Sequence, residues 1–213
     1  AGSISLELRL QKNGQVGIFP DHATYLEDLT AEAARIAPDG AKPLRVLNLF
    51  AYTGMATALL ASAGAHVCHV DLSKQALSWA GRNIEINLGS ATSAVRLICE
   101  DALQFVQREL RRKSTYDLVI ADPPSFGRIS KAKSWKFEDI AEELISSCLN
   151  LIPGPRGAFF LTCHHSALGA EVLGNLLSDA APQGARISAR SLFIKELDTE
   201  RQLPAGHLAT LSF

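Results

Sequence analysis

The chain has 213 residues, enough for one well-cored domain. Its 47% hydrophobic and 20% charged residues are the balance of a globular protein, which excludes a disordered chain. The formal net charge of −1 excludes nucleic-acid binding by bulk electrostatics, so such a partner needs a local patch or a part of the protein outside this chain.

No apolar run approaches the ~20 residues of a membrane-spanning helix. Ala1-Gly2-Ser3 lacks the basic and apolar regions of a signal peptide. Cys68, Cys99, Cys148 and Cys163 form no CxxC pair and lie in apolar segments, so reduced thiols and a cytoplasmic setting are expected, without disulfides or a metal site.

In chain order, Ile4 to Leu10 and Gln15 to Ile18 flank "QKNG", whose Asn13-Gly14 pair signals a β-hairpin. "PDHATYLEDLTAEAARIA" follows with helical spacing and ends before Pro38 and Gly40. From Leu44 strands and helices alternate. "LRVLNLF" is a strand and "GMATALLASAGA" a helix. "HVCHVDL" and "AVRLICED" are further strands, separated by the helix "SKQALSWAGRNIEINLG", which Gly89 closes. "ALQFVQRELRRK" is a helix with basic residues in its last turn, as the helix dipole favours. "YDLVIADPP" is a fourth strand, "FEDIAEELISSCLNLI" a helix and "GAFFLTC" a fifth strand. This alternation predicts an α/β, Rossmann-like doubly wound sheet, mostly parallel. "ARISARSLFIKEL" and "GHLATLSF" have no helix of adequate length between them, so they are expected as an antiparallel hairpin closing one edge, for seven strands in all.

Ligands of such sheets bind beyond the carboxyl ends of the strands, which selects the loops 48–54, 71–73, 100–102, 122–126 and 163–166. A pyrophosphate-binding turn needs small residues. In "LFAYTG" only Gly54 qualifies; Asn48, Phe50 and Tyr52 would obstruct a pyrophosphate but line a slot for an amino-acid tail. Asp71, 17 residues after Gly54, is placed to accept from ribose hydroxyls. Asp101 is placed to accept from an adenine amino group and Ala102 to offer its backbone N–H to a ring nitrogen. A nucleoside with a non-phosphate tail fits, as in S-adenosylmethionine.

"NLFAYTGMATALLASAGAHVCHVDLS", "RNIEINLG" and "DPPSFGR" are similar to class I S-adenosylmethionine-dependent methyltransferases of the group containing the large-subunit ribosomal RNA methyltransferases, and "GIFPDHA" resembles the segment before that group's catalytic core. The resemblance covers about Gly14 to Thr162. It implies that Phe50, Tyr52, Gly54, Asp71, Asp101 and Asp122 surround the cofactor, with Phe19, Asp21 and His22 covering it; Asn48, Thr53, Leu72 and Ala102, in the same loops, are expected at the cofactor as well. Asn83 is a weaker candidate. It also implies two units, residues 1–40 as a hairpin and helix over the cofactor and 41–213 as the methyltransferase domain. The antiparallel ending matches this class.

For catalysis, Asp122-Pro123-Pro124 forms a rigid turn whose carbonyls are free to accept bonds from a substrate. Phe126 either stacks on a target base or packs on the sheet edge. Cys163, in "FLTCHHS", is either a core hydrophobe or the thiolate that carbon-5 methylation of cytosine requires; the related branch reads Ser-Cys-Ser where this chain has Thr-Cys-His. His164 is next to it in sequence, but neighbours on a strand point to opposite faces. Arg128, Lys131, Lys133, Trp135 and Lys136 form either an RNA-contacting patch or a solvated loop. The leading expectation is methylation of an RNA base. A protein or small-molecule methyltransferase, a nicotinamide-dependent oxidoreductase and a non-catalytic binding module are the alternatives. The oxidoreductase lacks its G-x-G-x-x-G turn.

Overall fold

A computed structural model describes residues 4–11, 14–38, 42–128, 134–165 and 168–213. Its centre is a seven-stranded sheet. The strands are β1 (Arg45–Leu49), β2 (His66–Asp71), β3 (Val95–Cys99), β4 (Leu118–Ala121), β7 (Ala158–Cys163), β8 (Arg186–Lys195) and β9 (Gln202–Ser212). A separate two-stranded hairpin, β5 (Phe126–Arg128) and β6 (Ser134–Lys136), falls between β4 and β7 in the chain. The order in the sheet is β3-β2-β1-β4-β7-β9-β8. Pairing is parallel from β3 through β7, while β9 is antiparallel to both β7 and β8.

Alternation along each strand divides the core in two. Leu47, Leu49, Val70, Val119, Phe159, Leu161 and Cys163 face one side, with Phe105 of α4 (Ala102–Arg111), Leu144 of α5 (Phe137–Leu149) and Leu173 of α6 (Ala170–Ala180). Val46, Val67, Leu118, Ile120 and Phe160 face the other, with Leu29 of α1 (Leu26–Ile36) and Leu60 of α2 (Met55–Ser62). Helix α3 (Lys74–Leu88) packs beside α2. Covering both faces makes the sheet doubly wound.

Helix ends follow their caps. Ser73 Oγ accepts from Ala76 N at 3.2 Å to start α3, and Asp101 Oδ1 accepts from Gln104 N at 3.1 Å to start α4. Gly89 closes α3 at φ 57°.

The N-terminal turn is held by Arg9 N donating to Val16 O and Gln11 N to Gln15 O, each at 3.1 Å, and among the described residues no further strand ladder forms there. The segment instead lies across α3. Asn83 Oδ1 accepts from Glu7 N, and Trp79 Nε1 donates to Glu7 O at 2.9 Å. A Cβ on Gly17 would stand 2.0 Å from the Trp79 ring, so glycine permits this close approach. Tyr25 and Leu29 belong to the same core as β1 and β4, so residues 25–29 are continuous with the sheet.

Candidate active site

The loop after β1 carries an unusual backbone. Phe50, Tyr52 and Gly54 have φ of 56°, 47° and 85°, and two of these are aromatic residues for which the left-handed region is costly, about 1–3 kcal/mol each. The surroundings fix it. Ala51 N donates to Val70 O at 3.1 Å, Tyr52 N to Asp71 Oδ2 at 2.8 Å and Gly54 N to Ala51 O at 3.0 Å. Alternate left-handed residues turn the Phe50 and Tyr52 side chains to the same side, into a cavity of about 750 Å³.

That cavity lies along the carboxyl ends of the parallel strands. Its wall includes Phe19, Asp21, Phe50, Tyr52, Asp71, Leu72, Asp101, Ala102, Asp122, Pro123, Pro124 and Phe126, twelve residues marked from sequence. It also includes Gln15, Val70, Ser73, Glu100, Ser125, Gly127, Trp135 and His164. Asp71 accepts one backbone bond on each oxygen, from Tyr52 N and from Ser73 N, both at 2.8 Å, which leaves a further lone pair on each. Burial outweighs these bonds and raises its pKa.

Five sequence candidates serve the site from beneath or beside it. Asn48 is buried under α2, where its amide donates to Thr57 Oγ1 at 3.0 Å; Thr57 in turn meets His69 Nδ1 at 2.9 Å. Thr53 donates to Gly17 O at 2.7 Å and accepts from Asn83 Nδ2 at 2.9 Å, which ties the loop to the N-terminal segment. Gly54 permits the turn into α2, where a Cβ would meet Ala80 Cβ at 3.3 Å. His22 stands behind the wall on Asp122.

Cys163 ends β7 at the active edge, yet its side chain points into the α5–α6 core and is 1% exposed. Burial and the nearby carboxylates of Asp122 and Glu138 raise its thiol pKa against one bond from His165 N. The contact with His164 considered from sequence does not form: His164 Nε2 is directed at Asp122 Oδ1, at 3.2 Å.

Asp122 is the most heavily bonded carboxylate at the site. His22 Nε2 donates to its Oδ2 at 2.7 Å, and its Oδ1 accepts from His164 Nε2 and Thr162 Oγ1. Burial opposes its ionisation, but the bonds and charges of His164 and His22 outweigh burial, holding the carboxyl far below the usual range. Among the described residues, no group of three or more His, Cys, Asp or Glu is arranged to hold a metal ion.

The β5–β6 hairpin forms the outer wall. Trp135 lies over Gly127, where a Cβ would stand 2.3 Å from its ring, and meets Phe50 edge-on with centroids 6.0 Å apart. Trp135 therefore faces the cavity and is not the side chain of a solvated loop. Phe126 is 74% exposed at the mouth, so it does not pack on the sheet edge. Lys131, Lys133 and the Arg128 side chain lie outside the described residues, and Lys136 is exposed.

A nucleoside-sized cavity with several carboxylates on its wall suits a ligand rich in hydroxyl and amino donors with a positive centre, and disfavours a pyrophosphate. A sequence profile of the S-adenosylmethionine-dependent methyltransferase family matches residues 3–206, and the chain belongs to that family. The crystal structure of the S-adenosylmethionine-dependent methyltransferase from Agrobacterium tumefaciens is 33% identical with a TM-score of 0.87, covering 98% of this chain and 67% of that one. Ribosomal RNA large subunit methyltransferase K/L of Magnetococcus marinus is 31% identical over 170 residues, 79% of this chain and 22% of that protein. Ribosomal RNA large subunit methyltransferase K of Neisseria meningitidis is 35% identical over 125 residues, 58% of this chain and 33% of that protein. The chain thus spans a third or less of these two curated relatives. Its cofactor is S-adenosylmethionine.

Proposed function

We propose that this domain methylates a base in RNA, within a larger protein that acts on ribosomal RNA in the cytoplasm. The observation that carries this reading is a single cavity running from Asp71 and Asp101 at one end, past the Asp122-Pro123-Pro124 turn, to the exposed Phe126 at its mouth. The names of the curated relatives support the same substrate class.

Asp71 holds the ribose hydroxyls of the cofactor and Asp101 the adenine amino group, with Ala102 N–H at a ring nitrogen and Leu72 against the ring. Phe19, Phe50 and Tyr52 enclose the methionine end. Residues 1–40 serve as the cover, with His22 and Asp21 bearing on Asp122. Bound S-adenosylmethionine supplies an electrophilic methyl group, and the protein's contribution is mainly orientation and exclusion of water. The prolyl turn presents backbone carbonyls to the target base, and Phe126 stacks on it, an interaction worth about 1–3 kcal/mol per base. The carboxylates favour entry of a neutral base over a phosphate, so the RNA backbone stays outside, near Lys136.

Asp122 remains ionised and both its oxygens are engaged, so it acts by charge and position and not as the proton acceptor. Cys163 is a core residue in this reading, buried with a raised thiol pKa. Comparison of modified nucleosides by mass spectrometry, in RNA from cells with and without the gene, tests the proposal. A methylated base that disappears with the gene and returns with Cys163→Ala supports it. A 5-methylcytidine signal abolished by Cys163→Ala would restore the nucleophile, and no change in RNA would move the substrate to another class.

A further inference from the structure

Four titratable side chains from three separate elements meet at the cavity wall, three of them lining it and His22 behind. Asp21 and His22 lie on the single-turn helix Pro20–Thr24, Asp122 follows β4, and His164 follows β7. His22 Nε2 lies 2.7 Å from Asp122 Oδ2 and 3.9 Å from Asp21 Oδ2. His164 Nε2 lies 3.2 Å from Asp122 Oδ1 and 3.5 Å from the same Asp21 Oδ2. Each imidazole thus stands between two carboxylates, and each carboxylate between two imidazoles. Asp21 Oδ2 is buried without a hydrogen-bond partner among the described residues, so the histidines are its nearest compensation.

The ring of His164 is backed on one side by the chain, while its side chain stays 36% exposed on the cavity side. It lies in a notch of β9 at Gly206, whose φ is 91° and where a Cβ would stand 2.6 Å from His164 Nδ1 and 2.8 Å from Cys163 O. With Nδ1 against the backbone, Nε2 is the atom aimed at Asp122. The single-turn helix is held from β8 as well, by Arg190 Nη2 donating to Thr24 O at 3.1 Å. The quartet is therefore the link between the cavity's cover and its catalytic turn.

We infer that Asp21, His22, Asp122 and His164 form one alternating-charge latch, in which His164 is a positioning residue that fixes the Asp122 turn and, with His22, holds the N-terminal cover closed over the cofactor. The inference rests on the proposed cofactor placement. Phe19 is carried by the same turn and packs on Tyr52 with centroids 4.9 Å apart, so closing the latch sets the aromatic lid.

The latch is at full strength with both histidines charged. The hydrogen bond and charge of Asp122, with the charge of Asp21, raise the pKa of His164 over the opposing effect of burial. For His22, burial is the largest influence and lowers the pKa, but Asp122 and Asp21 together outweigh it. The other ionisable groups here are Tyr25, whose pKa is raised well above its ordinary value by burial and the carboxylates, Cys163, whose thiol is likewise raised, and Arg190, which is always charged. None of these gains charge as the histidines lose theirs. A raised histidine pKa gives a latch present below the ordinary value of about 6.5 and lost as pH rises through the raised values.

The test is calorimetric titration of S-adenosylhomocysteine from about pH 6 to about pH 9, with hydrogen exchange followed over residues 14–25. In the unsubstituted protein, affinity should fall about tenfold across that range while exchange of the segment rises. His164→Gln keeps a donor near the Nε2 position but does not titrate, so the fall in affinity with pH should shrink to the share that His22 contributes. His164→Ala should bind weakly at every pH, with fast exchange. Should the alanine variant fail to fold, the glutamine variant still decides. An unchanged pH profile and exchange pattern in folded His164→Gln would overturn the latch. Absence of S-adenosylhomocysteine binding by the unsubstituted protein would instead overturn the cofactor placement on which it rests.

Discussion

Asp71 is held at the end of β2 by two backbone N–H groups, one from the cofactor loop and one from the start of α3. The same carboxylate therefore shapes the loop and faces the cavity. Asp71→Ala should weaken S-adenosylhomocysteine binding at least tenfold in calorimetry, and unchanged affinity would refute the ribose assignment. The four thiols make a second residue-scale prediction. Cys99 is exposed, whereas Cys68, Cys148 and Cys163 are buried with raised pKa values, Cys68 at about 11. Brief alkylation of the native protein should label Cys99 alone, as read by peptide mass spectrometry; rapid labelling of Cys163 would return it to the candidate nucleophiles. Strand-end carboxylates were legible in the sequence because the sheet's topology puts every such position on one edge. The roles of Asn48 and Thr53 were not, since the direction of a side chain within a loop depends on backbone angles that composition does not reveal. His164 was noticed only as a neighbour of Cys163, and its bond to Asp122 spans 42 residues of chain.

At the scale of elements, the N-terminal segment is tied down by a few specific contacts on α3 and the cofactor loop. Asn83 is fully buried and works in both directions, accepting from Glu7 N at 2.8 Å and donating to Thr53 O at 2.9 Å. Asn83→Ala leaves both partners short of a bond and should cost about 1–3 kcal/mol in urea unfolding. Gly17, at φ 94° against Trp79, tolerates no side chain. Gly17→Ala should lower Tm by about 4–8 °C, equivalent to roughly 2 kcal/mol in a domain of this size. The alternation of strands and helices could be read because hydrophobic period and caps agree from β1 to β7. Helix α6 was missed because Gly174 interrupts its pattern and its N-cap, Gly169, supplies no side-chain start signal. Gly174 is there because a Cβ would stand 3.2 Å from Ala189 Cβ, so its absence lets the helix settle on β8. The β5–β6 hairpin was hidden in a basic segment whose strands are only three residues each.

For the whole molecule, two groups near the cofactor loop and the prolyl turn give acid responses with separate pH windows. His69 is buried beneath the cofactor loop, and burial lowers its pKa to about 4. Folding requires its neutral form, so its contribution is intact above the ordinary pKa of about 6.5 and is lost as pH falls toward 4, about 3 kcal/mol in all. Asp122, with its lowered pKa, adds a further loss only below its ordinary value of about 3.9. The urea midpoint should therefore decline from mildly acidic pH downward, and His69→Gln should remove the upper part of that decline. An identical pH profile in the variant would show that His69 is not the responsible group.

The chain contains two tryptophans. Trp79 lies beneath the Gly17 crossing, and Trp135 stands in the cavity wall against Phe50. The fold thus carries two built-in optical gauges. Emission from Trp135 should respond when a ligand fills the cavity, while Trp79 should shift only when the N-terminal segment lifts. Replacing either with Phe leaves a single tryptophan, so occupancy and closure become separately measurable in solution without an attached dye.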